Sequence, residues 1–419
     1  MDLLETFGDL VAGQLEHNPQ RANRLFRFVL GLGRIQQKHF LDSRLTKSRI
    51  YASLLSIDAV RYPLAHPDSS AIVNIFMPCE ILHTVGIHPQ IAEGLSSYAC
   101  GTKSEQGHIR YAQNMGIPET LCSYHKVMSG AALSGVQQKP LFIANTTLAC
   151  DANLQSFRFL ADHYGVEHFT IDTPNECNDE AIRYVSEQLR QFAHAAAEIV
   201  GRPINHEALC ASLQCSKTSL QLYDQYLDLL SGKYLPNALT CEMYAIFMNH
   251  VLLGKPETQR YFEMLLEDVK QAAPHRKGNR ILWVHTIPFW QDSMRDILNV
   301  SEDNYLLCSD MTFDQTYDFD PAQPYEAMAL RILSNTFNGN FERRGEQIIA
   351  RAKKLGANAM IYFCHWGCKN TIGGVEIIRQ MAKDAGIAIL TLDGDGCDRR
   401  NINDGQMRTR LQAFLEMLD

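Results

Sequence analysis

The sequence predicts an α/β protein with two Rossmann-like parallel-sheet lobes, an N-terminal helical segment and a helical insert between the lobes. Three observations lead there. Short apolar runs alternate with helical periodicity in two separate stretches, the pattern of parallel βαβ units. A long span with few glycines and helical periodicity, 178–275, divides those stretches. In each stretch an apolar run ends in a turn that carries a cysteine, Cys150 or Cys368, and then opens a helix. The expected parts are an N-terminal helical segment at 1–60, a first α/β lobe at 61–177, the helical insert at 178–275 and a second α/β lobe at 276–419.

The elements follow in order. Residues 1–60 repeat apolar positions at three and four, as amphipathic helices do. Gly31-Leu32-Gly33 has no third glycine and no strand before it, so it reads as helix packing and not as a nucleotide loop. Ala71–Met77 reads as a strand ending at Pro78-Cys79-Glu80, with a helix after it. Pro140–Asn145 is the next strand and leads to Cys150. A helix over 152–164 and a strand over 166–173 complete the unit. The polar stretch Pro274–Gly278 breaks the helical insert. Arg280–His285 begins the second unit, with strands at 304–308, 359–363 and 387–392. The two cysteine-bearing segments resemble each other, which βαβ geometry explains without common descent.

Composition narrows the class. The chain has 419 residues and 46% hydrophobic content, enough for two or three cores. Its net charge of -8 is spread along the chain with no basic stripe, so no nucleic-acid partner is expected. No apolar run reaches the roughly 18–20 residues of a membrane helix, so no membrane partner is expected. The acidic, amphipathic N-terminus is unlike a signal peptide. A cytoplasmic location is the expectation. In that compartment twelve cysteines do not form a disulfide framework. Cys210, Cys215 and Cys241 lie in helix-like sequence and read as small buried hydrophobes.

Three cysteines stand apart. Cys122, Cys150 and Cys368 each precede a helical pattern, and open α/β sheets bind ligands at strand C-terminal ends. A thiolate at a helix start is stabilised by the dipole and free N–H groups. Three such thiolates that converge would bind an iron–sulfur cluster and leave one iron without cysteine. Zinc is the competing account, but it favours CxxC pairs, and the close pair here, Cys364 and Cys368, is spaced CxxxC. The turn Trp366-Gly367-Cys368-Lys369 has little packing purpose; glycine allows a tight loop and Lys369 offsets thiolate charge. Gly373-Gly374 would let the following helix approach closely.

At these residues the chain resembles the 2-hydroxyacyl-CoA dehydratase component D family, which includes related benzoyl-CoA reductase subunits and double-cubane cluster reductases. The likeness rests on Met77-Pro78-Cys79-Glu80 with Gly86 and Pro89, on Leu121-Cys122, on Thr147–Asp151, on His365–Lys369, and on Asp393-Gly394-Asp395 with Gly405–Leu418. It runs from about residue 70 to the C-terminus.

The resemblance implies two α/β lobes with a [4Fe-4S] cluster between them. It implies a related subunit or a second copy as dimer partner, and a separate ATP-hydrolysing iron–sulfur activator that injects one electron. The substrate would be an acyl-CoA: a ketyl radical forms at the thioester carbonyl, the 2-hydroxyl leaves and a 2-enoyl-CoA results. Such systems belong to anaerobes. Cys122, Cys150 and Cys368 match the three ligand positions. Glu80 is the candidate acid or base facing substrate; the alternative is a carboxylate favoured at a helix N-terminus. The sequence shows no G-x-x-x-x-G-K-[ST] loop, and Gly254-Lys255-Pro256 does not supply one, so ATP hydrolysis is assigned to a partner. Double-cubane relatives, which carry an [8Fe-9S] cluster and reduce small molecules, need more thiolates. Cys308, Cys364 and Cys397 are the candidates for that second set, and buried strand positions are the other reading. A cluster-carrying accessory subunit without turnover is a further alternative.

Overall fold

The computed structural model describes residues 3–39, 42–275 and 277–418. Met1 and Asp2 of the acidic N-terminus, and Arg276 of the polar break, lie outside the described residues. The N-terminal segment forms the helices Leu3–Ala12, Pro19–His39 and Lys47–Ala65. Gly31 and Gly33 lie inside the second of these, as their periodicity required.

The first sheet contains β1 (Ser70–Val73), β2 (His88–Ile91), β3 (Ile143–Thr146) and β4 (His168–Ile171). All pairings are parallel and the spatial order is β2-β1-β3-β4. β1 stops before the predicted Met77. The Asn74 side chain accepts from Thr146 N–H at 3.1 Å and donates to Thr146 Oγ1 at 3.2 Å, which diverts the chain at the strand end. β2 was not expected: its four residues include Pro89 and show no β-branched alternation. Proline is tolerated there because β2 is an edge.

Helices Asp179–Val200, His206–Leu230, Leu239–Asn249 and Pro256–Gln271 occupy the middle of the chain, with a small hairpin of β5 (Lys233–Tyr234) and β6 (Ala273–Pro274). Asn178 caps the first by accepting from Ala181 N–H. Its Leu189, Phe192 and Ala196 face inward, and Phe192 meets Phe142 and Phe169 edge to face. The middle helices therefore share one continuous core with the sheets.

The second sheet contains β7 (Asn279–Val284), β8 (Asn304–Ser309), β9 (Ala359–His365) and β10 (Ala388–Gly394). It too is parallel, in the order β10-β9-β7-β8. Both faces of β9 are covered, so all seven of its residues are buried. Numbered by appearance within each lobe, both sheets read 2-1-3-4. In each, the chain reverses direction across the sheet between its first and third strands. Those switch points are where open sheets form ligand crevices.

Candidate functional site

Each of the three singled-out cysteines is the residue before a helix. Cys122 precedes Ser123–Leu133, Cys150 precedes Asp151–Tyr164 and Cys368 precedes Lys369–Asp384. Cys150 follows β3 and Cys368 follows β9, the third strand of each lobe. All three line one cavity of about 830 Å³, walled by both lobes. Leu148, Phe159 and Phe337 supply apolar wall, and Asp151, Lys369 and Asn370 supply polar groups.

Local backbone explains how the sulfurs converge. Ala149 sits at φ +63°, a left-handed conformation costly for a residue with a side chain, and this turn aims Cys150. Gly367 sits at φ +80°, and a Cβ there would lie 2.9 Å from Cys122 Cα. Only glycine lets the Cys368 loop close on Cys122 across the lobes.

The electrostatics couple the three. Burial pushes the Cys122 thiol well above its ordinary range, and the negative charge of ionised Cys368 and Cys150 pushes it further. The N–H groups of Tyr124 and His125 pull the other way. Burial pushes Cys150 up to about 12, against the N–H groups of Asn153 and Ala152 and with the charge of Cys368. Three half-buried sulfurs that repel one another when ionised, with helix N–H groups aimed at two of them, form a donor set that a cationic iron–sulfur group would satisfy. Among the described residues no three His, Cys, Asp or Glu side chains gather closely enough for a single metal ion. A cubane is wider than an ion and takes more widely spaced thiolates.

Two imidazoles touch these sulfurs. His365 Nε2 lies 3.0 Å from Cys122 Sγ, and His125 Nε2 lies 3.6 Å from Cys150 Sγ. Burial holds His125 down at about 4, with repulsion from His365 adding to it. Burial also lowers His365, against the pull of Asp395. Neither histidine received a role from the sequence. The His365 signal was present in the loop that carries Cys368, but its partner across the lobes is visible only in three dimensions.

The remaining candidates lie elsewhere. Glu80 is fully buried and does not line the cavity. Its carboxylate accepts from Arg331 at 2.5 and 2.8 Å and from Ser216 at 2.6 Å. Burial would raise its pKa, but the Arg331 charge and these hydrogen bonds together lower it. Cys308 is buried on β8, Cys364 is buried on β9 beside Asp393, and Cys397 is buried next to Cys100. None of these three lines the cavity. Lys369 does, and Gly374 meets Phe341, whereas Gly373 has open space. Cys210 and Cys215 are half-buried on a helix and Cys241 is buried on the next. No helix among the described residues is long and apolar enough to cross a membrane.

The chain is 22% identical over 365 residues to the (R)-phenyllactyl-CoA dehydratase alpha subunit of Clostridium sporogenes, covering 81% of this chain and 87% of that one. It is 21% identical over 381 residues to the lactoyl-CoA dehydratase subunit alpha of Anaerotignum propionicum, covering 82% and 89%. It is 22% identical over 298 residues to the (R)-2-hydroxyglutaryl-CoA dehydratase alpha subunit of Acidaminococcus fermentans, covering 67% and 61%. The family model described as 2-hydroxyglutaryl-CoA dehydratase, D-component, matches residues 74–418, and the chain belongs to that family.

Proposed function

We propose that this chain is the iron–sulfur subunit of a 2-hydroxyacyl-CoA dehydratase, which removes water from a 2-hydroxyacyl-CoA after one-electron activation by a separate ATP-hydrolysing protein. The observation that carries this reading is the convergence of Cys122, Cys150 and Cys368, each at a helix start, on one cavity. These three would hold a [4Fe-4S] cluster, which when bound supplies single-electron transfer and Lewis acidity.

The chain's own residues do the rest. Helix N–H groups of Tyr124, His125, Ala152 and Asn153 stabilise sulfur anions. Lys369 brings a positive charge to the wall beside Cys368. Leu148, Phe159 and Phe337 exclude water from the acyl group, which strengthens each polar contact inside. The volume lies within the few hundred to about 1,000 Å³ of small-molecule sites, enough for an acyl group and part of a thioester chain. Glu80 stays ionised against Arg331 and acts as a tie between the two halves of the chain. The partner is a related subunit or a second copy, and the setting is the anaerobic cytoplasm.

The test is anaerobic purification with iron, sulfide and zinc analysis. One cubane gives about four irons and four sulfides per chain. About double that iron would move the assignment to the [8Fe-9S] reductases, and stoichiometric zinc would overturn both. Bound iron without any spectral response to a 2-hydroxyacyl-CoA would leave only a cluster-carrying accessory role.

A further inference from the structure

His365 holds a defined protonation pattern, and the backbone sets it. It ends β9 in the second lobe and is 2% exposed. Its Nδ1 accepts from the N–H of Gly396 at 2.9 Å. That lone pair is therefore used, and Nδ1 carries no proton. A proton there would face the Gly396 N–H, donor against donor. The contact of Nδ1 with Asp395 Oδ1 at 3.7 Å is then not an ion pair. The single ring proton sits on Nε2, 3.0 Å from Cys122 Sγ.

The neighbours fix this arrangement. Tyr124 packs edge-on against the imidazole, 5.4 Å between ring centres, and its hydroxyl donates to Gly396 O at 3.2 Å. Asp395 accepts from Ser123 Oγ and from the N–H groups of Cys397 and Asp398, both at 2.9 Å. Trp290 Nε1 also donates to Gly396 O, at 2.8 Å. The loop that presents the Gly396 N–H is thus pinned from both lobes. Held against that loop, His365 cannot turn without losing both the Gly396 N–H and the contact with Cys122 Sγ.

We propose that His365 is a positioning residue: its Nε2–H donates to Cys122 Sγ across the lobes, and so raises the reduction potential of the cluster held there. The inference rests on Cys122 being a cluster ligand. A donor to a ligating sulfur stabilises the more negative, reduced form more than the oxidised one. Cys122 receives this from the opposite lobe, so the potential depends on the lobes staying closed. His125 lies farther from Cys150, at 3.6 Å, and its Nδ1 has no hydrogen-bond partner, so nothing comparable fixes its proton.

Two measurements separate this from the reading it rests on. The first uses the cluster-free chain. Long-range ¹H–¹⁵N spectra of ¹⁵N-histidine protein should show His365 as the neutral Nε2–H tautomer at pH 7. The Nδ1–H tautomer or the imidazolium overturns the inference, whether or not iron binds. The second uses the anaerobic iron-loaded protein, with His365→Leu and His365→Gln. At a fixed reductant poise, the ratio of reduced to oxidised protein should fall about threefold or more in His365→Leu, because the ratio reads only the part of the lost hydrogen bond that differs between the two oxidation states. His365→Gln keeps an N–H near the same place and should restore most of it. The exchangeable-proton coupling in pulsed paramagnetic spectra of the reduced protein should vanish in His365→Leu alone. Full iron with an unchanged ratio and unchanged coupling in His365→Leu overturns the proposal and leaves the dehydratase reading standing. If His365→Leu loses its iron, the tautomer spectra and the glutamine variant decide. A wild-type chain that binds no iron sinks the dehydratase reading first.

Discussion

Glu80 and Arg331 form a two-pronged salt bridge, at 2.5 and 2.8 Å, in which the carboxylate is fully buried. Glu80 opens a short helix of the first lobe and Arg331 lies on the helix Pro324–Leu333, far along the chain. Removing one partner leaves a buried charge alone, which typically costs about 3–5 kcal/mol. Arg331→Met should therefore destabilise strongly, and the double variant Arg331→Met with Glu80→Leu should recover much of the loss. Urea unfolding of the wild type and these two variants measures this. A cost below about 1 kcal/mol for Arg331→Met would refute a structural role. Because Glu80 has a lowered folded pKa, its stabilisation is present above about pH 4.5 and is lost as pH falls through the folded value.

Glu105 and Arg399 make a different kind of contact. Nε stands 2.9 Å from Oε1, yet neither carboxylate oxygen has an aligned hydrogen bond. Burial therefore wins over the Arg399 charge, and Glu105 is pushed up to about 7 from 4.5. The folded state keeps a proton that the unfolded state releases, so stability falls as pH rises from 4.5 to 7 and is flat above. Relative to Glu105→Gln, the wild type should lose on the order of 3 kcal/mol across that window. A stability difference that stays constant from pH 5 to 8 would show that Glu105 ionises normally.

Two glycines near Cys368 should respond in opposite ways. Gly367→Ala places a Cβ 2.9 Å from Cys122 Cα at a positive φ, so iron retention should collapse. Gly373→Ala adds a Cβ into open space inside a helix and should stabilise by roughly 0.5–1 kcal/mol. Iron content and melting temperature read both. Equal effects would mean that the loop does not close as described.

Among the cysteines, Cys122→Ser, Cys150→Ser and Cys368→Ser should each lose most of the bound iron. Cys308→Ser and Cys397→Ser should keep it, because both lie in the core away from the cavity wall. Full iron in all of the first three would overturn the ligand assignment.

The strand-turn-cysteine-helix pattern around Cys150 and Cys368 was legible because it is local: apolar run, turn, helix start. Seven of the eight strands in the two main sheets were visible for the same reason. β2 was not, since an edge strand with Pro89 lacks both alternation and β-branching. Glu80 was a substrate-facing candidate through the family resemblance, with a helix N-terminal carboxylate as the alternative; its partner Arg331 is distant in sequence, and no local pattern announces such a pair. Cys308, Cys364 and Cys397 showed the same limit, since a cysteine near a strand end can point inward or outward. The pairing of His365 with Cys122 needed the two lobes docked.

The three sulfurs come from both lobes: Cys122 and Cys150 from one, Cys368 from the other. A group held by all three acts as a fastener, and its affinity contains the energy of lobe docking. Whatever binds only the docked form also favours docking, in proportion to the logarithm of its concentration over its dissociation constant. Weakening Glu80–Arg331 or Glu105–Arg399 should therefore be felt as easier loss of iron, although neither pair touches a sulfur. Conversely, on the proposed reading, oxidative loss of a cluster held there would weaken lobe docking by the same linkage, so damage at the centre would be felt beyond it.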